Sequence, residues 1–459
     1  MRHPLTLVVV GIVSSVLITA PVTADDWPEW RGQGRLGIWN ESDIIEQFPP
    51  QGLMVTWRTP VRTGFAGPAV ANGRVFVLDY QETPGSRTMD GTERLLCLDE
   101  TSGAVIWTHE WPTTYRNILG SFATGPRATP TVAGDQVYVM GAGGILVALD
   151  TRTGTVAWQV DTIADYDATV PVYGTSSAPL ATGNLVVAMV GGQPDALVVA
   201  FNQATGDEVW RALPSQSETG YSQPVIVEAG GTQQLIVWHA VGLTSLNPLT
   251  GTVHWNQDWF IGGGMAITTP VQSGRYLLVS HFFNGSMMMA LNPDRPTARL
   301  LWQGQNRGEL PDQTDGLHSI ISTPLILEDH IYGIGSYGEL RGLDARTGER
   351  LWHSEALTPQ ERWATAFFVR HPQRNQFFVT TEEGDLVIAK LSPTGYIEID
   401  RTPLITPTSR TRGGATRRWG DRLVHWSHPA FANRHVVVRN DREIIRVSLD
   451  ARDYSSVER

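Results

Sequence analysis

The residues best placed to do chemistry stand just ahead of a recurring small, hydroxyl-rich segment: Phe65, Arg127, Tyr173, Tyr221, Met265, His318, Arg362, Trp363, His425 and Trp426. Brought to one opening, these aromatics, two arginines and two histidines would line a funnel for a flat or extended ligand; the same residue types also pack loops against one another. A second concentration lies in one connection of an otherwise acidic chain: Arg401, Arg410, Arg412, Arg417, Arg418 and Arg422. Guanidinium groups suit carboxylate or phosphate partners through paired hydrogen bonds. A solvated loop explains the same composition.

Catalytic and metal signals are poor, and no catalytic residue and no metal site is assigned. His425 and His428 lie three apart on an extended segment, so their side chains point to opposite faces. Asp161, Asp165 and Asp167 share one loop and Asp312 and Asp315 another, without the spacing of an EF-hand. Nucleophile-elbow, phosphate-loop and dinucleotide signatures are not found.

The elements that must position these residues are written as a repeat. Six phrases end in tryptophan: Cys97 to Trp107, Ala148 to Trp158, Ala200 to Trp210, Ser245 to Trp255, Ala290 to Trp302 and Gly342 to Trp352. Their tryptophans recur every 45 to 52 residues, the period of propeller blades. Asp or Asn near the start of each phrase and, in most, Gly four residues later make a hairpin turn, as from Asp99 to Gly103. Three strand signals precede each tryptophan strand, giving four strands per unit. The docking tryptophans Trp57, Trp107, Trp158, Trp210, Trp255, Trp302 and Trp352 are read as packing between neighbouring blades. Small residues at Ala66, Ala128, Ser177, Ser222, Thr268, Ser322, Thr365 and Ser427 fit innermost strands crowded around a narrow axis.

A degenerate seventh phrase runs from Ala389 to Ile399, and three strand signals from Ser427 to Asp450 lack a tryptophan strand. Met54 to Arg58 supplies it from the other end of the chain. The expected fold is therefore all-β: an eight-bladed propeller of four-stranded antiparallel blades, closed by pairing of the N- and C-terminal strands. Seven blades would follow if the last segment were an appendage. The long connections between blades should carry any binding site, around the channel mouth.

The 459 residues carry a net charge of −11, which disfavours nucleic acid and anionic membrane as general partners. Residues 1–24 read as a signal peptide cleaved after Ala24, leaving no stable membrane span and a periplasmic or secreted, monomeric product. Residues 25–53 form an N-terminal extension, 54–450 the propeller and 451–459 a tail. The lone Cys97 is expected to serve core packing.

The pattern seen most plainly at Ala148, Asp150, Thr153, Gly154 and Trp158 resembles the tryptophan-docking motif of the pyrroloquinoline quinone (PQQ) repeat family, over nearly all of Trp57 to Asp450. Asp26-Trp27-Pro28-Glu29-Trp30-Arg31-Gly32 resembles the opening of secreted bacterial members. The resemblance implies one of two functions. Quinoprotein dehydrogenases of alcohols or sugars hold PQQ with calcium over the channel. Assembly factors of the BamB type use the ring without a cofactor, as a platform for protein or peptide partners. Cys97 stands alone, whereas many dehydrogenases place an adjacent cysteine pair against the quinone. The expectation is a non-catalytic binding module for an envelope or secreted partner, with no cofactor; the alternative is a dehydrogenase with PQQ and calcium. Recognition of a glycan by the funnel aromatics is a third class.

Overall fold

The computed structural model describes residues 25–119, 124–215, 219–305, 308–411 and 422–455. Eight four-stranded antiparallel sheets stand around one axis. In blade 1 the strands run, from the axis outward, Ala69–Ala71, Arg74–Glu82, Asp90–Asp99 and Val105–Thr114. Blades 2 to 7 repeat that order. Blade 8 takes Ala430–Ala432, His435–Arg439 and Glu443–Ser448 from one chain end and Val55–Pro60 from the other. Trp57 pairs with Arg446 and Thr59 with Ile444, so the ring closes with the last blade's edge covered.

Each tryptophan is aimed by a bulge. Cys97 opposes Trp107 and Leu98 opposes Val105, leaving Ile106 as the extra residue, and Ala148, Ala200, Ser245 and Gly342 stand in the place of Cys97 in other blades. The extra residue bends the outer strand and turns the indole toward the next blade. There the ring lies against the glycine of the next phrase: a Cβ added to Gly103 would stand 2.6 Å from Trp57, and one on Gly154 2.6 Å from Trp107. The indole nitrogen of Trp57 donates to the Glu100 carbonyl at 2.8 Å, and that of Trp158 to the Gln203 carbonyl at 2.8 Å. Opposite Trp107, Cys97 is fully buried, and burial pushes its thiol up to about 12.

Trp255 departs from the expected docking. The blade 5 turn reads Asn292-Pro293-Asp294-Arg295-Pro296, without the Thr-Gly pair, and so offers no glycine seat. The Trp255 nitrogen turns back to Gln234 Oε1 of its own blade at 3.0 Å.

The innermost strands do more than fit a narrow space. Ser177 Oγ donates to the Ser222 carbonyl, Ser222 Oγ to the Thr268 carbonyl and Ser322 Oγ to the Ala366 carbonyl, at 2.6, 2.9 and 2.6 Å. These hydroxyls tie blade to blade at the axis.

The N-terminal extension crosses the channel from the face that carries the phrase turns. Trp27 pairs with Val70 of blade 1, and the Val132 amide of blade 2 donates to the Pro28 carbonyl. The buried Arg35 donates to the Ala178, Pro179 and Pro224 carbonyls of blades 3 and 4 and pairs with Glu29 at 2.9 Å. Trp39 meets Phe378 of blade 7 edge-on. One short segment thereby touches most of the ring at its centre.

Candidate functional site

On the opposite face, the connections entering the innermost strands enclose a cup of about 160 Å³. Of the residues singled out in the sequence, Phe65, Arg127, Tyr173, Tyr221, Met265, Trp363 and Trp426 line it. Ser176, Gln223, Ile267, Ile320 and Ile321 complete the wall, and Trp30 of the N-terminal extension also enters it. Trp30 is fixed by its nitrogen, which donates to Thr269 Oγ1 at 2.9 Å, and by His428, whose ring lies 4.7 Å away. No periodic signal marks Trp30, because it belongs to no blade. The Trp-Pro-Glu-Trp-Arg-Gly run was the only sequence cue to it.

The walls are held by contacts from neighbouring blades. Tyr173 and Tyr221 meet edge to face at 5.7 Å, and Arg127 Nη1 donates to the Tyr173 carbonyl. Arg127 sits deep enough for desolvation to lower its guanidinium, against the opposite pull of Tyr115, Tyr221 and Tyr173, yet it remains half-exposed because it faces the cavity. Trp363 adopts a φ of 64°, a left-handed conformation unfavourable for a bulky residue. Trp426 donates to Glu382 Oε2 at 3.0 Å. Burial raises the Glu382 carboxyl, and Arg422, bonded to it at 2.8 Å, opposes that shift.

Three of the sequence candidates do not line the cup. His318 is fully buried: its Nδ1 lies 2.9 Å from the Phe282 carbonyl, and the ring sits against Gly285, between blades 5 and 6. Arg362 is drawn aside by Glu309, with its guanidinium 5.1 Å from the Phe282 and Trp363 ring centres. His425 precedes Trp426 on an extended segment, so when Trp426 faces the cup His425 faces the body of the ring. Burial pulls both histidines down to about 4.

The basic connection divides. Arg401 pairs with Glu398 and Asp385, and Arg422 with Glu382. Arg410 is exposed on a two-stranded ribbon, Ser409–Arg410 with Leu423–Val424. Arg412, Arg417 and Arg418 lie outside the described residues. Asp161 caps the short helix Thr162–Tyr166, and Asp165 accepts the Asp161 amide. These acids thus have local structural roles. Among the described residues no group of three or more His, Cys, Asp or Glu side chains is placed to hold a metal.

The family model for outer membrane protein assembly factor BamB matches residues 54–197 and 194–450. The chain belongs to this family of PQQ-like propellers. BamB of Yersinia pestis is 24% identical over 54% of this chain and 61% of its own length, and BamB of Shewanella oneidensis 23% identical over 77% and 83%. A quinohemoprotein alcohol dehydrogenase of Pseudomonas putida, ADH IIB, is 26% identical, but the match spans 31% of this chain and only 21% of that enzyme. Among solved structures, BamB of Moraxella catarrhalis superposes with a TM-score of 0.55 at 15% identity, covering 86% of this chain and 99% of that one. Quinohemoprotein alcohol dehydrogenase of Comamonas testosteroni gives 0.59 at 14%, covering 93% and 80%. Both share the fold.

PQQ carries three carboxylates, and calcium needs oxygen ligands. The described lining of the cup offers one cation, Arg127, and no carboxylate. These residues do not fit the quinone with its calcium.

Proposed function

We propose that this BamB-family chain is a non-catalytic binding module of the cell envelope, periplasmic or secreted, acting as a monomeric scaffold for a protein or peptide partner. The observation that carries the reading is the cup itself: among the described residues, aromatic and aliphatic walls with one guanidinium and no acid, at the converging connections of the ring. Such a surface recognises apolar side chains with orientation and supplies no acid–base pair for chemistry. Among the described residues no helix is long and apolar enough to cross a membrane.

The test is crosslinked affinity capture from envelope extracts, comparing the wild type with a Tyr173→Ala/Trp426→Ala double variant. A partner retained by the first and lost at least tenfold by the second is expected; equal recovery contradicts the site. The match to part of an alcohol dehydrogenase supports, against the poor fit of the described lining, a second reading as a dehydrogenase with PQQ and calcium. A quinone absorption band with dye-linked alcohol oxidation would establish that reading and displace the scaffold.

A further inference from the structure

The dimensions and charge of the cup restrict what can enter it. Drug-sized ligands occupy pockets of about 300–1,000 Å³, whereas a cavity of about 150 Å³ with apolar walls holds one benzene ring. At about 160 Å³ the cup falls in the second class. Its lining includes the rings of Trp30, Phe65, Tyr173, Tyr221, Trp363 and Trp426, and aromatic side chains favour edge-to-face or offset contact with another ring. Ile267, Ile320 and Ile321 supply aliphatic surface.

Charge narrows the choice again. Arg127 is the formal charge on the described lining, so a cationic group entering the cup meets a like charge, while an anionic one gains a guanidinium partner. Exposed apolar residues also stand on the connections that lead to the lining residues. Val172, immediately before Tyr173, is 42% exposed, and Leu119 bonds to it through the backbone and is 41% exposed. Phe260 is 72% exposed on the connection that leads to Met265.

We propose that the cup is a socket for a single aromatic side chain of a partner peptide, in a neutral or anionic setting, with Leu119, Val172 and Phe260 covering the residues that flank it. The inference rests on the binding-module reading and deepens it by naming the anchor. A buried aromatic anchor ringed by weaker contacts is the usual form of an interface hot spot.

The experiment uses the folded chain and four probes: N-acetylphenylalanine, its neutral amide, cationic phenylalaninamide and N-acetylleucinamide, titrated by ligand-observed NMR. The anionic and neutral aromatic probes are expected to saturate with a Kd of about 1 mM or tighter, a reasonable affinity for so few atoms. The cationic and aliphatic probes should bind at least fivefold more weakly. Met265→Trp, a substitution at a half-buried wall position, should fill the space and weaken the aromatic probes at least tenfold. Arg127→Met should keep the neutral probe and abolish the advantage of the anionic one. Unsaturable binding, equal binding of the leucine or cationic probe, or binding unchanged by Met265→Trp would overturn the socket. These readouts do not depend on partner capture, so failure of the socket and failure of the scaffold reading are separable.

Discussion

The two faces of the ring follow different rules. On the face of the phrase turns, Trp57, Trp107, Trp158, Trp210 and Trp302 each rest on a glycine of the next blade, and the chemistry repeats from blade to blade. On the face of the long connections, all eight blades contribute to one shared cavity, and the contributed residue varies around the ring: Phe65, Arg127, Tyr173, Tyr221, Met265, Ile320, Trp363 and Trp426. Repetition serves closure, because every interface must carry a similar load. Difference serves recognition, because one cavity needs unlike groups. A substitution on the first face should therefore cost stability, and one on the second should cost binding.

The largest effect is expected from Trp57→Ala, which removes a 7% exposed indole from the blade joining the chain ends. A loss of about 3–5 kcal/mol in denaturant unfolding is predicted. Trp255→Ala should cost clearly less, about 1–2 kcal/mol, because that half-buried ring has no glycine seat. Equal losses would remove the distinction drawn between the two sites.

Glycines sharpen the comparison further. Gly103→Ala places a methyl 2.6 Å from Trp57 and should cost about 2–3 kcal/mol, whereas Gly183→Ala, also at positive φ but with open space around it, should cost about 1 kcal/mol.

Acid should weaken the ring through histidines buried near its binding face. His281, His318 and His425 are held at about 4 by burial, below the ordinary value of 6.5. The unfolded chain takes up protons first, so the stability they contribute is present above pH 6.5 and is lost as pH falls toward 4. Buried Glu93 and Glu382, raised by desolvation, act in the opposite sense and favour the folded state at lower pH. His425→Gln should shrink the loss between pH 7 and 4.5 by about 1–2 kcal/mol in urea titrations. An unchanged slope would mean that His425 titrates normally.

Much of this architecture was legible in the order of residues. Tryptophan and glycine at fixed offsets announce a repeated contact, and the incomplete eighth unit announces closure. Phe65, Tyr173, Tyr221, Met265, Trp363 and Trp426 could be grouped because each stands one to four residues ahead of the small residue that opens an inner strand. His318 and His425 stand in the same short stretch, four and two residues ahead of Ser322 and Ser427, yet turn inward, because rotation at a strand entrance depends on neighbours: the Phe282 carbonyl and Gly285 for one, the outward-facing Trp426 for the other. Arg362 was legible as a charge, while Glu309, which draws it aside, lies 53 residues away. Trp30 was hidden for a different reason. Its place at the cup depends on Arg35 and Trp27 anchoring a non-repeating segment across four blades, and no local pattern encodes that path.

The most direct test of the division between faces is site-specific photocrosslinking in cells, with the reactive residue at position 260 on the cup face or at position 249 among the phrase turns. Both are well exposed, at 72% and 61%. Discrete adducts from position 260, reduced by Met265→Trp and missing from position 249, are predicted. Adducts from position 249 alone, or equal yields from both positions, would contradict the assignment of binding to the cup face.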